Sequence, residues 1–532
     1  MIMNQNYVNT VEEERIETMK IRYTLSAVIL VCLFTFIGCE EKTIEIAELQ
    51  PYTPLKLDTN AGNWQPFVVP FSDVTVVAPA DISSNEYQQE LAAVRALNPN
   101  DAQQQVIKFW GAGGVMRWNE IARELAAAYN IPPNYDENGK YPVPDPANPL
   151  KNPRFPFANP PYASRAFALL SIAQYDALVA TSHFRQLYGR KAPYALPNGS
   201  TARLPQIDAP SYPSEDAVVA AASREILKFL FPGEVPLLTQ KADEHKNSRL
   251  WAGMNVQSDI DAGEALGKAI ADKIIAYAKT DGMGAANNQP GYQNQIADAK
   301  ARGIGRIWTS REVPPRPPML PAFGNVKTWN FSAEEKIAMR TAIGPPPTFE
   351  SAEFKQNLDE LIAIAKDRSR EQVRIASYWA DGAGTYTPPG HWNRKAAALT
   401  YANKFSEVRT ARTLALLNSA MQDAGICCWD VKYYYLVPRP TEVNAEIKTS
   451  TGIPNFPAYT SGHSTFSGAA AEVLSYLFPN NASEFNAMAK EASESRIYGG
   501  IHYRFDCVKG LEHGKMIGAH AVKRGQADKS GL

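Results

Sequence analysis

The chain has 532 residues, 45% of them hydrophobic and 20% charged, with a formal net charge of −1. That length exceeds what one compact core usually serves, so a globular protein of two domains is expected. The near-neutral balance, with no basic patch, argues against nucleic acid as a partner.

Near the N-terminus, MKIRYTLSAVILVCLFTFIGCEEK places Lys20 and Arg22 before an apolar run from Leu25 to Ile37, followed by Gly38-Cys39. A basic segment before a short apolar run is the pattern of an export signal rather than a full membrane span. Taking Met19 as the start puts the charges in their usual place. The segment resembles a bacterial lipoprotein signal, which implies a lipid on Cys39, although Phe36 stands where that pattern usually has leucine. Residues 1–39 are therefore expected to be a signal, with a simple signal anchor as the alternative. Either reading exports the remainder to the bacterial envelope, membrane-anchored, periplasmic or at the cell surface.

Residues 40–84 read as an extended lead. Beyond them, segments such as ASRAFALLSIAQYDALVATSHF, SEDAVVAAASREILKFLF and NRKAAALTYANKFSEVRTARTLALLNSAMQDAGICCWDVKYYYL repeat apolar residues three and four apart. That is helical periodicity, and alternating strand patterns are scarce. Proline-rich stretches at 141–161, 313–323 and 344–349 separate the helical segments. The expectation is an all-α protein, with an N-terminal helical domain over 85–330 and a C-terminal multi-helix bundle over 331–532. No regular internal repeat is evident, and no later stretch approaches a membrane span. Outside the signal, the cysteines are Cys427, Cys428 and Cys507. Adjacent cysteines rarely pair with each other, so a bridge from one of them to Cys507 is open, and no metal-ligand spacing exists.

Three clusters in the last hundred residues carry the chemistry: Lys432 and Arg439 in KYYYLVPRP, Ser461-Gly462-His463, and Ser495, Arg496, His502 and Asp506 in SRIYGGIHYRFD. Three fixed cations around one small site repel each other unless an oxyanion sits between them. Arginine offers paired donors to such oxygens, lysine adds a point charge, and a helix start adds unpaired N–H groups. Two imidazoles can divide the remaining labour, one as ligand or nucleophile and one as proton donor. Asp506 could hold the other ring nitrogen of His502 or cap the following helix.

Lys-x6-Arg-Pro, Ser-Gly-His and Ser-Arg-x5-His-x3-Asp together resemble the three-part signature of the type 2 phosphatidic acid phosphatase and vanadium haloperoxidase superfamily. The likeness is close over about residues 380–510. Thr460 stands where the second motif usually has proline. The resemblance implies the helical bundle of that superfamily. It also implies that Lys432, Arg439, Arg496, Ser461 and the Gly462 N–H hold the oxygens of vanadate or phosphate. His502 would bind the central atom, and His463 would be the acid–base.

Such a cradle serves two reactions. With vanadate, it would oxidise halide with hydrogen peroxide. With a phosphate ester, His502 would attack phosphorus to give a phosphohistidine, as in a soluble acid phosphatase. Trp429 and Phe456 sit at offsets similar to two aromatics beside the halide region of fungal vanadium chloroperoxidases. YWADGAGTYTPPGHWN resembles the chloroperoxidase segment whose aspartate pairs with the third-motif arginine, which implies that Asp381 partners Arg496. His391 reads as a surface-loop histidine, and His183, His245, His513 and His520 as structural or solvated. A large body without later membrane spans resembles the haloperoxidase branch. The expected function is thus a vanadium-dependent haloperoxidase-like enzyme, with the phosphatase as alternative. An exported binding or scaffold lipoprotein with an inactive site is the alternative of another class.

Overall fold

Caps decide where these helices begin. A short polar residue in extended conformation precedes many of them and accepts the backbone N–H three positions on. Ser84, Asn159, Ser214, Ser406 and Ser461 each do so, from Tyr87, Tyr162, Ala217, Arg409 and Ser464 respectively. Full capping boxes open the helices at Asp101, Ala333 and Arg370.

The computed structural model describes residues 49–145, 148 and 150–531, so the expected signal and Cys39 lie outside the described residues. The helices α1 to α7 are Asn85–Arg95, Asp101–Gly111, Gly114–Tyr129, Pro160–Tyr188, Glu215–Leu230, Val235–Trp251 and Gln257–Ala278. Helices α8 to α12 are Gln289–Ala301, Ala333–Ile343, Ala352–Lys366, Arg370–Tyr378 and Thr387–Ala402. Helices α13 to α17 are Glu407–Tyr435, Pro440–Val443, Gly462–Leu477, Ala482–Tyr498 and Arg504–Ala527. Among the described residues there is no strand, and the fold is all-α as the periodicity implies. None of these helices is long and apolar enough to cross a membrane.

Two helices of 29 residues, α4 and α13, form the centre, each about 44 Å long at 1.5 Å per residue. Both are buried on nearly every side, and they pack on each other. Polar links fix their register. Asn119 donates to Asn393 at 2.7 Å, Asn393 to Asn418 at 2.7 Å, and Asn418 to Ser171 at 2.9 Å, joining α3, α12, α13 and α4. Helices on both sides of residue 330 contribute to one hydrophobic cluster.

The fold contains a repeat that the sequence reading did not find. Helices α4, α5, α6 and α7 recur as α13, α15, α16 and α17 at a separation of 247 residues, the separation of the Ser171–Asn418 pair itself. Asp176 on α4 gathers the N–H groups of Phe67, Val68 and Val69, while Asp423 on α13 gathers those of Trp329 and Asn330. Glycines let the paired helices approach. A Cβ on Gly267 would lie 2.3 Å from the Val218 carbonyl oxygen, and one on Gly514 would lie 2.3 Å from that of Thr465. The repeat is hard to see in the sequence because small spacers and capping residues survive while the side chains between them diverge.

Candidate active site

The second copy of the repeat delivers the site. The last turn of α13 carries Lys432, the following loop Arg439, and the start of α15 Ser461, Gly462 and His463. The last turn of α16 carries Arg496, and the passage into α17 carries His502 and Asp506. All three motifs therefore meet, although they are far apart in the chain.

His502 is the best-defined group. Its Nδ1 lies 2.9 Å from Asp506 Oδ2, which places the proton on Nδ1 and leaves the Nε2 lone pair free to accept. Arg439 Nη1 lies 2.9 Å from that Nε2. Asp506 Oδ2 also accepts the Tyr503 N–H at 3.1 Å, so Asp506 both orients the imidazole and caps α17. Its Oδ1 has no partner.

The cations are buried and held by backbone oxygens. Lys432 donates to the carbonyls of Pro457, Ala458 and Thr460. Arg439 donates to those of Phe456 and Ile501 as well, and both cations lie over the Phe456 ring. Arg496 donates to Ser495 Oγ at 2.8 Å and the Ala376 carbonyl at 3.1 Å. Burial lowers the pKa of Lys432, and it lowers those of Arg439 and Arg496 to about 10. Asp506 offsets part of the charge on Lys432 and Arg439, and Asp381 part of that on Arg496; a bound oxyanion would supply further negative charge.

Ser461 is the N-cap of α15, fully buried, and its N–H bonds the Asp506 carbonyl at 3.0 Å. A Cβ on Gly462 would approach only Trp429, at 4.0 Å, so the backbone there stands open. Both imidazoles are pushed well below the ordinary histidine range, chiefly by burial and then by the arginines. His463 Nε2 is a buried nitrogen without a partner, 4.0 Å from Asp381 Oδ2, itself unpartnered.

A cavity of about 270 Å³ runs over Gly462, His463, Arg496 and His502, with Asp381, Trp429 and Phe456 in its walls. Lys432, Arg439 and Ser461 support this wall from behind. Trp429 and Phe456 touch with ring centroids 4.8 Å apart, and Trp429 Nε1 donates to the Met319 carbonyl. Asn130, Phe157 and Pro160 also line the cavity. No sequence signal marks these three, because their approach depends on the packing of α4 against α13.

Three expectations need correction. Asp381 forms no ion pair with Arg496 within 4.0 Å, although it is the leading charge that raises the Arg496 pKa against burial; its Oδ1 lies 3.3 Å from His391 Nδ1. His391 is not on a surface loop. It lies buried on α12, stacked on Trp379 at 4.3 Å, with Nε2 3.2 Å from the Tyr378 hydroxyl. Cys427, Cys428 and Cys507 are free, buried thiols, so neither cysteine of the adjacent pair bridges to Cys507. Of the other histidines, His245 and His513 are fully buried. Among the described residues no His, Cys, Asp and Glu side chains group as a cluster that could hold a metal ion. The donor set suits an oxyanion bonded to one imidazole, so its chemistry fits vanadate or phosphate.

Residues 413–528 match the family model described as the PAP2 superfamily. The chain is 25% identical over 390 residues to the vanadium chloroperoxidase of Curvularia inaequalis, covering 60% of this chain and 61% of that relative's length. A bacterial vanadium-dependent iodoperoxidase structure aligns with a TM-score of 0.53 and 24% identity, over 69% of this chain and 91% of its own. This last likeness concerns the fold alone. Residues 413–528 thus resemble the PAP2 superfamily, and the chain is similar over 390 residues to a vanadium chloroperoxidase.

Proposed function

We propose that the chain is a vanadium-dependent haloperoxidase-like enzyme. The observation that carries this reading is His502, which lines the cavity with His463 and Arg496 and whose unprotonated Nε2 accepts from Arg439 at 2.9 Å. Lys432, Arg439, Arg496, Ser461 and the Gly462 N–H would hold vanadate oxygens, and His502 Nε2 would be its protein ligand. Bound vanadate would supply Lewis-acid activation of hydrogen peroxide for halide oxidation.

The protein supplies the rest. Asp506 keeps the His502 proton on Nδ1, so Nε2, which accepts from Arg439, is the nitrogen left to bind a central atom. His463, held neutral by burial, is free to accept a proton and return it. The preorganised donors would stabilise charge on the oxygens of the bound group without reorganising. Trp429 and Phe456 would border the halide and limit water around it. The similarity to a vanadium chloroperoxidase supports this branch. We further propose export by the N-terminal signal, with a lipid on Cys39.

A phosphatase is the second reading, favoured by the same lone pair, which could attack phosphorus while His463 protonates the leaving oxygen. The test is a paired assay of the full chain. Peroxide-dependent halogenation of a trap with iodide, bromide and chloride is expected only with vanadate. Hydrolysis of a chromogenic phosphate ester, inhibited by vanadate and without halogenation, would replace the haloperoxidase reading with the phosphatase.

A further inference from the structure

The 247-residue repeat gives the candidate site a counterpart in the first copy. Ser214 stands where Ser461 stands, Arg185 where Lys432 stands, Arg249 where Arg496 stands, and Asp259 where Asp506 stands. The local bonds recur with them. The Ser214 N–H bonds the Asp259 carbonyl at 2.9 Å, as Ser461 does that of Asp506 at 3.0 Å. Asp259 Oδ2 accepts the Val256 N–H at 3.0 Å, as Asp506 Oδ2 accepts that of Tyr503 at 3.1 Å. A second cavity, of about 210 Å³, opens at the corresponding place, lined by Arg185, Glu215, Asp216, Arg249 and Asn255 among others.

Four positions differ, and each has a chemical consequence. Asn255 replaces His502, so this copy has no imidazole to bind or attack a central atom. Ala192 replaces Arg439, leaving cations at two of the three corresponding positions; Arg190 nearby is engaged with Asp259. Glu215 replaces Gly462 and lies 3.0 Å from Arg185 Nη1. Asp216 replaces His463, lies 3.6 Å from Arg249 Nη1 and bonds His245 Nε2 at 3.0 Å. Arg249 is 6% exposed, and its Nη2 is buried with no partner. Arg185 Nε is likewise unpartnered. Two arginines thus keep unused donors in a cavity whose counterpart is the candidate oxyanion site. Glu407 also faces this cavity, pushed up to about 8 by burial and by Asp216.

We propose that the second cavity is a latent, non-catalytic oxyanion site, closed by the carboxylates of Glu215 and Asp216, which take the place of the bound anion. The inference rests on reading the C-terminal cluster as an oxyanion cradle. Two carboxylates offset two guanidinium charges here, so a dianion entering the wild-type cavity would meet a neutral wall and carboxylate repulsion. Without those carboxylates, Arg185 and Arg249 would lose their nearest counter-charges, with the N–H groups at the start of α5 beside them and Glu407 and the Arg409-paired Asp58 as the remaining carboxyls of the wall.

The test counts inorganic phosphate bound per chain by calorimetry on the full chain. Wild type is expected to bind one phosphate. Glu215→Gly combined with Asp216→His, which copies the second motif, is expected to bind two. Adding Arg249→Gln should return the number to one. Glu215→Gln with Asp216→Asn removes both charges at constant shape, and decides the question if the first pair fails to fold. One phosphate in both charge-removed variants, or two in wild type, would overturn the proposal. If wild type binds none while a charge-removed variant binds one that Arg249→Gln abolishes, the reading of the C-terminal cradle fails and the latent site stands.

Discussion

At His502 two hydrogen bonds decide what the imidazole can do. Asp506 accepts from Nδ1 at 2.9 Å, and the remaining lone pair accepts from Arg439 Nη1 at 2.9 Å on a ring that lines the cavity. His502→Ala should reduce activity to background while the chain keeps its helical circular dichroism, because the ring contributes a function rather than a core. Asp506→Asn keeps the volume but removes the charge that orients the ring; a loss of roughly 10–100-fold in activity or oxyanion affinity is expected. The sequence left the role of Asp506 open between orienting His502 and capping a helix, and one carboxylate oxygen does both. It could not place Asp381, since the contact with His391 depends on how α12 packs over the loop after α11. Lys432 adds a pH dependence. Burial pushes its pKa down, so its charge is fully present at low pH and is lost as pH rises through that lowered value. Phosphate or vanadate affinity should therefore fall with rising pH over that range, and Lys432→Met should flatten the change in an equilibrium titration.

The helices were legible because caps and periodicity are local. Apolar residues three and four apart mark the segments that become α4 and α13, and Ser or Asn caps fix where many helices start. Their repetition was not legible, because it survives in spacers such as Gly267 and Gly514 rather than in a continuous run. Gly514→Ala tests the packing reading. In an exposed helix, alanine would gain about 1 kcal/mol over glycine. Here its Cβ would lie 2.3 Å from the Thr465 carbonyl oxygen, and overpacking of that kind costs about 1–3 kcal/mol. The clash should outweigh the propensity, so denaturant unfolding is expected to show a net loss of stability. A gain would mean that α15 and α17 separate easily, and that the site they carry is loosely held.

At the scale of the whole molecule, the second and third motifs supply one wall of the cavity while the first half of the chain completes it. Asn130, Phe157 and Pro160 line it, and α13 is buried against α4. A fragment spanning 331–532 retains every motif residue but exposes the apolar face of α13, so it is expected to aggregate or show no cooperative unfolding. A well-folded, fully active fragment would show that the N-terminal half is dispensable. The central claim is that one vanadate, held at His502 among Lys432, Arg439 and Arg496, makes this chain a halide-oxidising enzyme. The most direct measurement titrates vanadate into the full-length protein while following peroxide-dependent halogenation of a trap. Activity rising to saturation at one vanadate per chain, and absent in His502→Ala, is the predicted result. Halogenation that ignores vanadate, or that persists in His502→Ala, would contradict it.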